Sequence, residues 1–538
     1  MLVVVWFICR GKRAVMQAGS PRPGAADAEI VCFCHGDSEN SEMQPVKITR
    51  IPTLKSIEAF EDLVRGLKID LRCERAIVSG PESVLGQPLE MAGYRLANRW
   101  AVHPMEGWDG TVTGGVTEPM LRRWQRFGES GAKLIWGGEA MAVRPEGRAN
   151  PHQLIINRAN QAGIAQLRET LLKAHRELYP GTGDPLIGFQ LTHSGRFCRP
   201  DADKRFAPRI AFRHPILDRR MNITTDEPVF ADDELARLVE DYAAAARVAA
   251  DAGANFVDIK HCHGYLLHEF LGAHTRPGRY GGSFENRTRL LREIVEAIRG
   301  SAPGLDIGVR LSAFDIVPFK PNPALAEPGK LGPGMPEDFS HCLPYRCGFG
   351  VNANNPVEYD LTEPIQFLSL LESLGIRLVN LSAGSPYYNP HIQRPAIYPP
   401  SDGYQPPEDP LVGVARQINV VSQLKAKFPN LLVVGTGYSY LQEFLPHVAE
   451  YYVRHGHVDV VGIGRAVLSY PTMLADATRK GKLETRYVCR TFSDCTTAPR
   501  NGLRSGCYPL DDYYKKLPDA GALKDAKKTV AAPKPDAR

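Results

Sequence analysis

Residues 256–287 read FVDIKHCHGYLLHEFLGAHTRPGRYGGSFENR, and the residue types best suited to chemistry crowd their first third. A short apolar run, 256–259, gives way abruptly to Lys260, His261, Cys262, His263, Gly264 and Tyr265. A buried strand has no need of such an ending, because each polar or titratable side chain there must be solvated, paired or used. The segment reads as a strand whose C-terminal tip carries chemistry, the position of active sites on parallel sheets flanked by helices. Lys260 admits two uses. As an ammonium it donates to an oxygen on which negative charge develops; as a free amine it forms a Schiff base with a carbonyl compound. His261 points to the opposite face by strand alternation and reads as a packing residue unless the strand bulges.

A second chemical signal lies near the C-terminus, at Gly435-Thr436-Gly437 and Gly462-Ile463-Gly464-Arg465. Glycines let backbone amides approach an anion closely, and a guanidinium adds a two-pronged contact to phosphate oxygens. Neither cluster completes a dinucleotide fingerprint, since residues 435–440 lack the third glycine, so the phosphate belongs to a ligand held by the fold itself. Turns also want glycine, and each cluster alone is a weak signal.

The elements that must position these groups alternate from about residue 95 onward. Eight β-rich apolar runs fall at 96–105, 133–140, 186–193, 256–262, 306–313, 377–384, 431–437 and 458–465, with helical stretches between them. The helix of 232–252 opens on carboxylates and stops at Gly253; 286–300 and 362–375 behave alike. Eight strand and helix units within roughly 390 residues predict a closed (β/α)8 TIM barrel rather than an open doubly wound sheet. Polar residues occupy six of the eight predicted tips, which packing alone does not explain, although a lone Gln or Arg in a strand is usually a satisfied core group. Two insertions, 313–361 and 386–409, follow the fifth and sixth strands and are expected over the C-terminal face, as lids or substrate walls or as plain surface loops.

Composition narrows the class of function. The 538 residues are 43% hydrophobic and 23% charged, ample for a globular core. A net charge of +5 is too small and too evenly spread to argue for nucleic acid or an anionic membrane; the expected partner is a small-molecule substrate, and a homo-oligomer is compatible. Eleven scattered cysteines fit a reducing, cytoplasmic setting. The apolar opening LVVVWFIC is too short to span a bilayer, and Arg10, Lys12 and Arg13 follow it in the wrong order for a secretory signal. Residues 1–43 are expected to be a disordered leader, or an ordinary flexible N-terminus, with Met43 as an alternative start; 44–90 lead into the barrel of 91–485. A Cys-containing extension, 486–514, follows, and 515–538, rich in Lys, Ala, Pro and Asp, is expected to be disordered.

Taken in order, ANRWAVHPM, GGEAMAV, IGFQLTHSGR, HGYLLHEF with YGGSFENR, VRLSAFD, LSAG, VVGTG and VGIGRAVL resemble the old yellow enzyme family of FMN-dependent NAD(P)H oxidoreductases. The likeness is nearest to the branch that includes bacterial ene-reductases and the barrel of 2,4-dienoyl-CoA reductases, and it runs from about residue 90 to 485. It implies FMN as cofactor and NADH or NADPH as reductant. By similarity, Pro104 and Met105 pack on the isoalloxazine ring, Ala140 lies beside it, Gln190 bonds its pyrimidine edge and Arg310 sits near N1 and O2. Gly437, Gly464 and Arg465 would hold the phosphate, His263 would bind a substrate oxygen, and Tyr265 would be the proton donor. The implied reaction passes hydride from NAD(P)H through the flavin to an electron-poor alkene.

Three departures stand out. The family's other oxygen-binding position, usually His or Asn, falls on Lys260, whose charge favours carboxylate-bearing or strongly polarised substrates. Glu106 stands where Thr or Cys commonly tunes the flavin, and a carboxylate there disfavours electron gain unless protonated or paired. Longer relatives carry a four-cysteine iron-sulfur cluster after the barrel, whereas here only Cys489, Cys495 and Cys507 occupy that region. A cubane needs four thiolates, so a degenerate remnant is expected, and zinc is equally short of ligands. The rival readings are a flavin-free barrel using Lys260 as a Schiff-base lysine on a phosphorylated carbonyl substrate, and a non-catalytic binding barrel.

Overall fold

The computed structural model describes residues 47–530, except 328, 329, 401 and 402, together with the short antiparallel pairing of Ile8–Cys9 with Lys12–Arg13. Met1–Pro45 and Val46–Arg538 are separate units. The expected leader, 1–43, otherwise lies outside the described residues, as does the tail beyond 530.

Eight parallel strands close on themselves: β1 (Trp100–Val102), β2 (Leu134–Ile135), β3 (Leu186–Thr192), β4 (Phe256–Ile259), β5 (Asp306–Ser312), β6 (Leu378–Ser382), β7 (Leu432–Gly435) and β8 (Val460–Ile463). Each pairs with the next, and β8 pairs back to β1 through Val461 and Trp100, so the sheet has no free edge. The eight principal helices alternate with the strands: α1 (Glu118–Glu129), α2 (Gln161–Leu178), α3 (Asp232–Asp251), α4 (Arg289–Ser301), α5 (Thr362–Ser373), α6 (Pro410–Lys427), α7 (Leu445–Arg454) and α8 (Met473–Lys480). α3 shows why such segments become helices. Three carboxylates fill its first turn, Glu234 accepts the Ala231 amide at 2.8 Å, and Leu235, Leu238, Tyr242, Ala245, Ala246 and Ala249 form one buried stripe at helical spacing.

Period-two alternation sets what the barrel encloses. Ala101, Leu134, Phe256, Leu378 and Val460 belong to one fully buried apolar cluster that fills the lower interior. A side chain on Gly308 would press against Trp136, Leu378 and Phe256 at 3.2–3.3 Å, which leaves no room for one. Two residues further along the same strands the inward positions turn polar: His103, Gln190, Asp258, Arg310 and Asn380, all buried. The apolar plug therefore ends in a polar floor, and one more inward step on β4 reaches Lys260.

Two expectations need correcting. The predicted strand 133–140 is split: β2 ends at Ile135, and Ala140–Ala142 is a separate strand paired to β3 and, through Ala142, bridged to Ile155. Gly137 and Gly138 have φ of +97° and +53°, and a Cβ on Gly138 would collide with Trp124, so the break is built by glycine. The C-terminal stretch expected to be disordered contains a helix, Asp519–Val530, because Leu523 is buried in a small cluster with Ala498, Tyr508 and Tyr514.

Candidate active site

The C-terminal mouth of the barrel opens into a cleft enclosing roughly 1940 Å³ of space, open solvent included. Its lining brings together every side chain singled out at the strand tips: Pro104, Met105, Glu106, Ala140, Gln190, Lys260, His263, Tyr265, Arg310, Gly437, Gly464 and Arg465. His261 is excluded, as alternation requires. It is buried on the outer face, with its ring 5.5 Å from that of Phe367 on α5.

Three buried groups fix the polar floor. Gln190 Nε2 donates to Asp258 Oδ2 at 2.6 Å, and Asp258 Oδ1 accepts the Arg310 amide at 2.7 Å. Burial raises the Asp258 carboxyl, while hydrogen bonds from Gln190 and the Arg310 amide pull it back. With its amide nitrogen committed to Asp258, Gln190 keeps its side-chain carbonyl oxygen, an acceptor, at the lining of the cleft. Arg310 Nε has no hydrogen-bond partner among the described residues, and burial pulls the guanidinium downward. A buried cation without a partner is costly unless a bound group supplies one. His103 shares a 3.0 Å hydrogen bond between its Nδ1 and Asn380 Nδ2. Burial and the charge of Arg310 push His103 well below its ordinary value, which keeps it neutral.

The tip of β4 is held in an unusual turn. His263 and Gly264 both have positive φ, +67° and +76°. For histidine this left-handed conformation costs about 1–2 kcal/mol, and the surroundings enforce it. The His263 amide donates to Ser312 Oγ at 3.0 Å, its carbonyl accepts from Ser385 Oγ at 2.9 Å, and Nε2 lies 2.9 Å from Ser382 Oγ. Burial first, then Arg310 and Lys260, drive the imidazole far below its usual range, so it is neutral. If Ser382 donates to Nε2, the ring proton sits on Nδ1. Tyr265 follows as the first residue before the short helix Leu266–Leu271. Lys260 Nζ lies 3.8 Å from the centroid of the Tyr265 ring, and burial lowers its pKa.

Tyr265 Oη donates to Glu106 Oε2 at 2.6 Å and lies 3.0 Å from Tyr387 Oη. Glu106 is thus paired, with Asn150 Nδ2 at 3.5 Å from its other oxygen. Burial, then Glu106 and Tyr387, raise the Tyr265 phenol well above its ordinary value.

The far end of the cleft is lined by Thr436, Gly437, Gly462, Gly464 and Arg465. Gly437 has φ +95°, and a Cβ on Gly464 would project into open space. Arg465 hydrogen-bonds Thr496 Oγ1 and lies 3.7 Å from Cys495 Sγ, both from the C-terminal extension. Arg394, which no sequence signal marked, also lines this end and donates to Ser493 Oγ at 2.8 Å. Burial and the neighbouring Arg465 lower its pKa. Among the described residues, no group of three or more His, Cys, Asp or Glu is arranged to hold a metal ion. Cys489, Cys495 and Cys507 carry free thiols.

The two insertions differ in use. Residues of 386–409, among them Pro386, Tyr387, His391 and Tyr404, line the cleft, whereas none of the described residues of 313–361 does. The longer insertion buttresses the shorter one from behind. Asp315 accepts from Tyr388 Oη and Asn389 Nδ2, the Phe319 amide donates to the Tyr388 carbonyl at 2.8 Å, and Gly334 donates to Gln405 at 2.9 Å.

Residues 84–330 match the model of the NADH:flavin oxidoreductase / NADH oxidase family. The NADPH dehydrogenase of Bacillus subtilis is 32% identical over 235 residues, covering 42% of this chain and 63% of the relative. That of Bacillus pumilus is 33% identical over 242 residues, covering 44% and 65%. The chain spans less than two thirds of the length of these curated relatives. Among solved structures, a 2-naphthoyl-CoA reductase aligns with a TM-score of 0.56 at 14% identity, covering 82% of this chain and 58% of that one. Histamine dehydrogenase from Rhizobium sp. 4-9 aligns with 0.56 at 18%, covering 81% and 53%. At such identities these two structures speak to the fold alone.

Proposed function

We propose, from the match of residues 84–330 to the NADH:flavin oxidoreductase / NADH oxidase family, that the chain is a member of that family and an FMN-dependent oxidoreductase reducing electron-poor alkenes with NAD(P)H. One observation carries the reading. A single cleft joins Gln190 and Arg310, a buried guanidinium whose Nε has no hydrogen-bond partner among the described residues, to a glycine and arginine cradle at Gly437, Gly464 and Arg465. That donor set fits a flavin mononucleotide: an N–H and carbonyl edge at one end, a phosphate at the other. When bound, FMN supplies a two-electron carrier that accepts hydride from NAD(P)H and passes it to the alkene β-carbon.

The chain's own residues do the rest. Arg310 lowers the energy of negative charge on the pyrimidine edge, and Pro104, Met105 and Ala140 wall the ring plane. Lys260 and His263 donate toward the activating carbonyl oxygen, where charge develops as hydride arrives. Tyr265, kept protonated by its buried surroundings, gives its proton to the α-carbon. The test is anaerobic: NADPH or NADH should bleach the FMN-loaded protein, and a cyclic enone should restore the colour with one equivalent of alkene reduced per flavin. Bleaching without recovery would leave a flavoprotein with a different acceptor.

A second reading rests on Lys260 itself, since burial lowers its pKa and so favours the nucleophilic amine. Borohydride added with a phosphorylated carbonyl compound would then trap an adduct on Lys260 in colourless protein.

A further inference from the structure

We propose that Glu106 carries the proton that Tyr265 delivers, acting through the tyrosine rather than on substrate; this rests on the flavin reading above. The geometry begins with the 2.6 Å hydrogen bond from Tyr265 Oη to Glu106 Oε2, one of the shortest ordinary contacts in the cleft. Tyr387 completes a trio, its hydroxyl 3.0 Å from that of Tyr265, its ring stacked on Phe197 at 4.0 Å and 7°. Glu106 follows β1, Tyr265 follows β4 and Tyr387 follows β6, so three separate tips converge on one proton. The groups that face the carboxyl are Tyr265, Tyr387, Asn150 and the ammonium of Lys260.

Charge decides the role. Were Tyr265 to release its proton while Glu106 was ionised, two anions would stand 2.6 Å apart in a site walled by protein. Like charges so close in a medium of low dielectric do not both persist. Handing the burden to Tyr387 leaves the same excess charge, because a phenol is the weaker acid of the two kinds of group. The proton must already be in the trio when Tyr265 gives up its own, and Glu106 is the member that Tyr265 is hydrogen-bonded to.

Reduction supplies the occasion. A hydride brings two electrons with one proton, so it adds one negative charge to the cleft, and a carboxylate facing that charge binds a proton more tightly. The balance then closes. Hydride forms the C–H bond at the β-carbon while the π electrons move to the α-carbon and carbonyl. The α-carbon takes the Tyr265 proton as Tyr265 takes that of Glu106. Glu106 returns as carboxylate, and solvent reloads it at the next reduction.

The test counts protons. The slope of midpoint potential against pH, measured spectroelectrochemically on full-length FMN-loaded protein between pH 6 and 8, on the order of neutrality, reports protons taken up per two electrons. Wild type should take up two, Glu106→Gln and Glu106→Ala one, a twofold fall in slope. Glu106→Asp and Tyr265→Phe, which keep a carboxyl, should stay near two. Glu106→Gln retains an acceptor for Tyr265, so a purely orienting role would leave its slope at the wild-type value, and that result overturns the proposal. A one-proton slope in wild type overturns it equally. Wild-type protein that binds no FMN overturns the flavin reading itself, which keeps the two failures distinct.

Discussion

Tyr265 owes both its protonation and its aim to the same neighbours, since Glu106 and Tyr387 add to burial in raising the phenol and also fix its hydroxyl. A Tyr265→Phe variant should keep FMN but slow reoxidation of the reduced protein by an enone by roughly 10²- to 10⁴-fold, read by stopped flow. An unchanged rate would remove Tyr265 from the proton step. At this scale the sequence was most legible where polarity broke an apolar run, as at Lys260, His263 and Tyr265. It was least legible where one polar residue hides inside such a run. Asp258 and Asn380 carry no such signal, and only the closed barrel sets Asp258 against Gln190 from β3 and Asn380 against His103 just after β1. Tyr387 and Arg394 sit in a proline-rich insertion with no periodicity to read, so nothing local announced that they face the cleft.

Elements build the end of the cleft proposed to hold the phosphate. β7 and β8 stop at glycines, and Arg465 is clamped by Thr496 of the extension rather than left to solvent. Arg465→Met should raise the Kd for FMN roughly 10- to 100-fold, the worth of a hydrogen bond to a charged group. Riboflavin, lacking the phosphate, should bind both proteins alike, and an equal loss for both flavins would contradict the assignment. The brace between the two insertions makes a pH prediction. Burial raises the Asp315 carboxyl to about 6, above its unfolded value. The neutral form is therefore the one folding favours: its contribution is full below the unfolded pKa and is lost as pH rises through about 6. The Tm of Asp315→Asn should accordingly gain on wild type between pH 4 and 7, a window of about three units around that value; a constant difference would place the titration elsewhere. The boundaries that composition missed have local causes. The second strand was drawn too long because Gly137 and Gly138 read as strand glycines, yet they turn the chain beneath Trp124. The terminal helix has a tail-like composition because Leu523, its buried anchor among the described residues, lies among lysines and alanines.

For the whole molecule, the alternation of apolar runs and helical stretches was enough to predict a closed barrel, because eight parallel strands without an edge have few other solutions. What encloses the barrel's mouth was not predictable. The shorter insertion and the segment around Thr491–Ser505 join the barrel tips as lining, so the cysteine-bearing extension contributes Thr496 and Cys495 to the cradle. With no metal-binding arrangement among the described residues, iron and acid-labile sulfide in purified protein should fall well below the amount needed for one cluster per chain. Stoichiometric iron and sulfide would show that the three cysteines find a fourth ligand. The account as a whole turns on riboflavin 5′-phosphate seated across this mouth. Its most direct test is the visible spectrum of the full-length protein after purification and dialysis against excess FMN: two flavin bands with about one FMN released per chain on denaturation are predicted, whereas protein that stays colourless would contradict it.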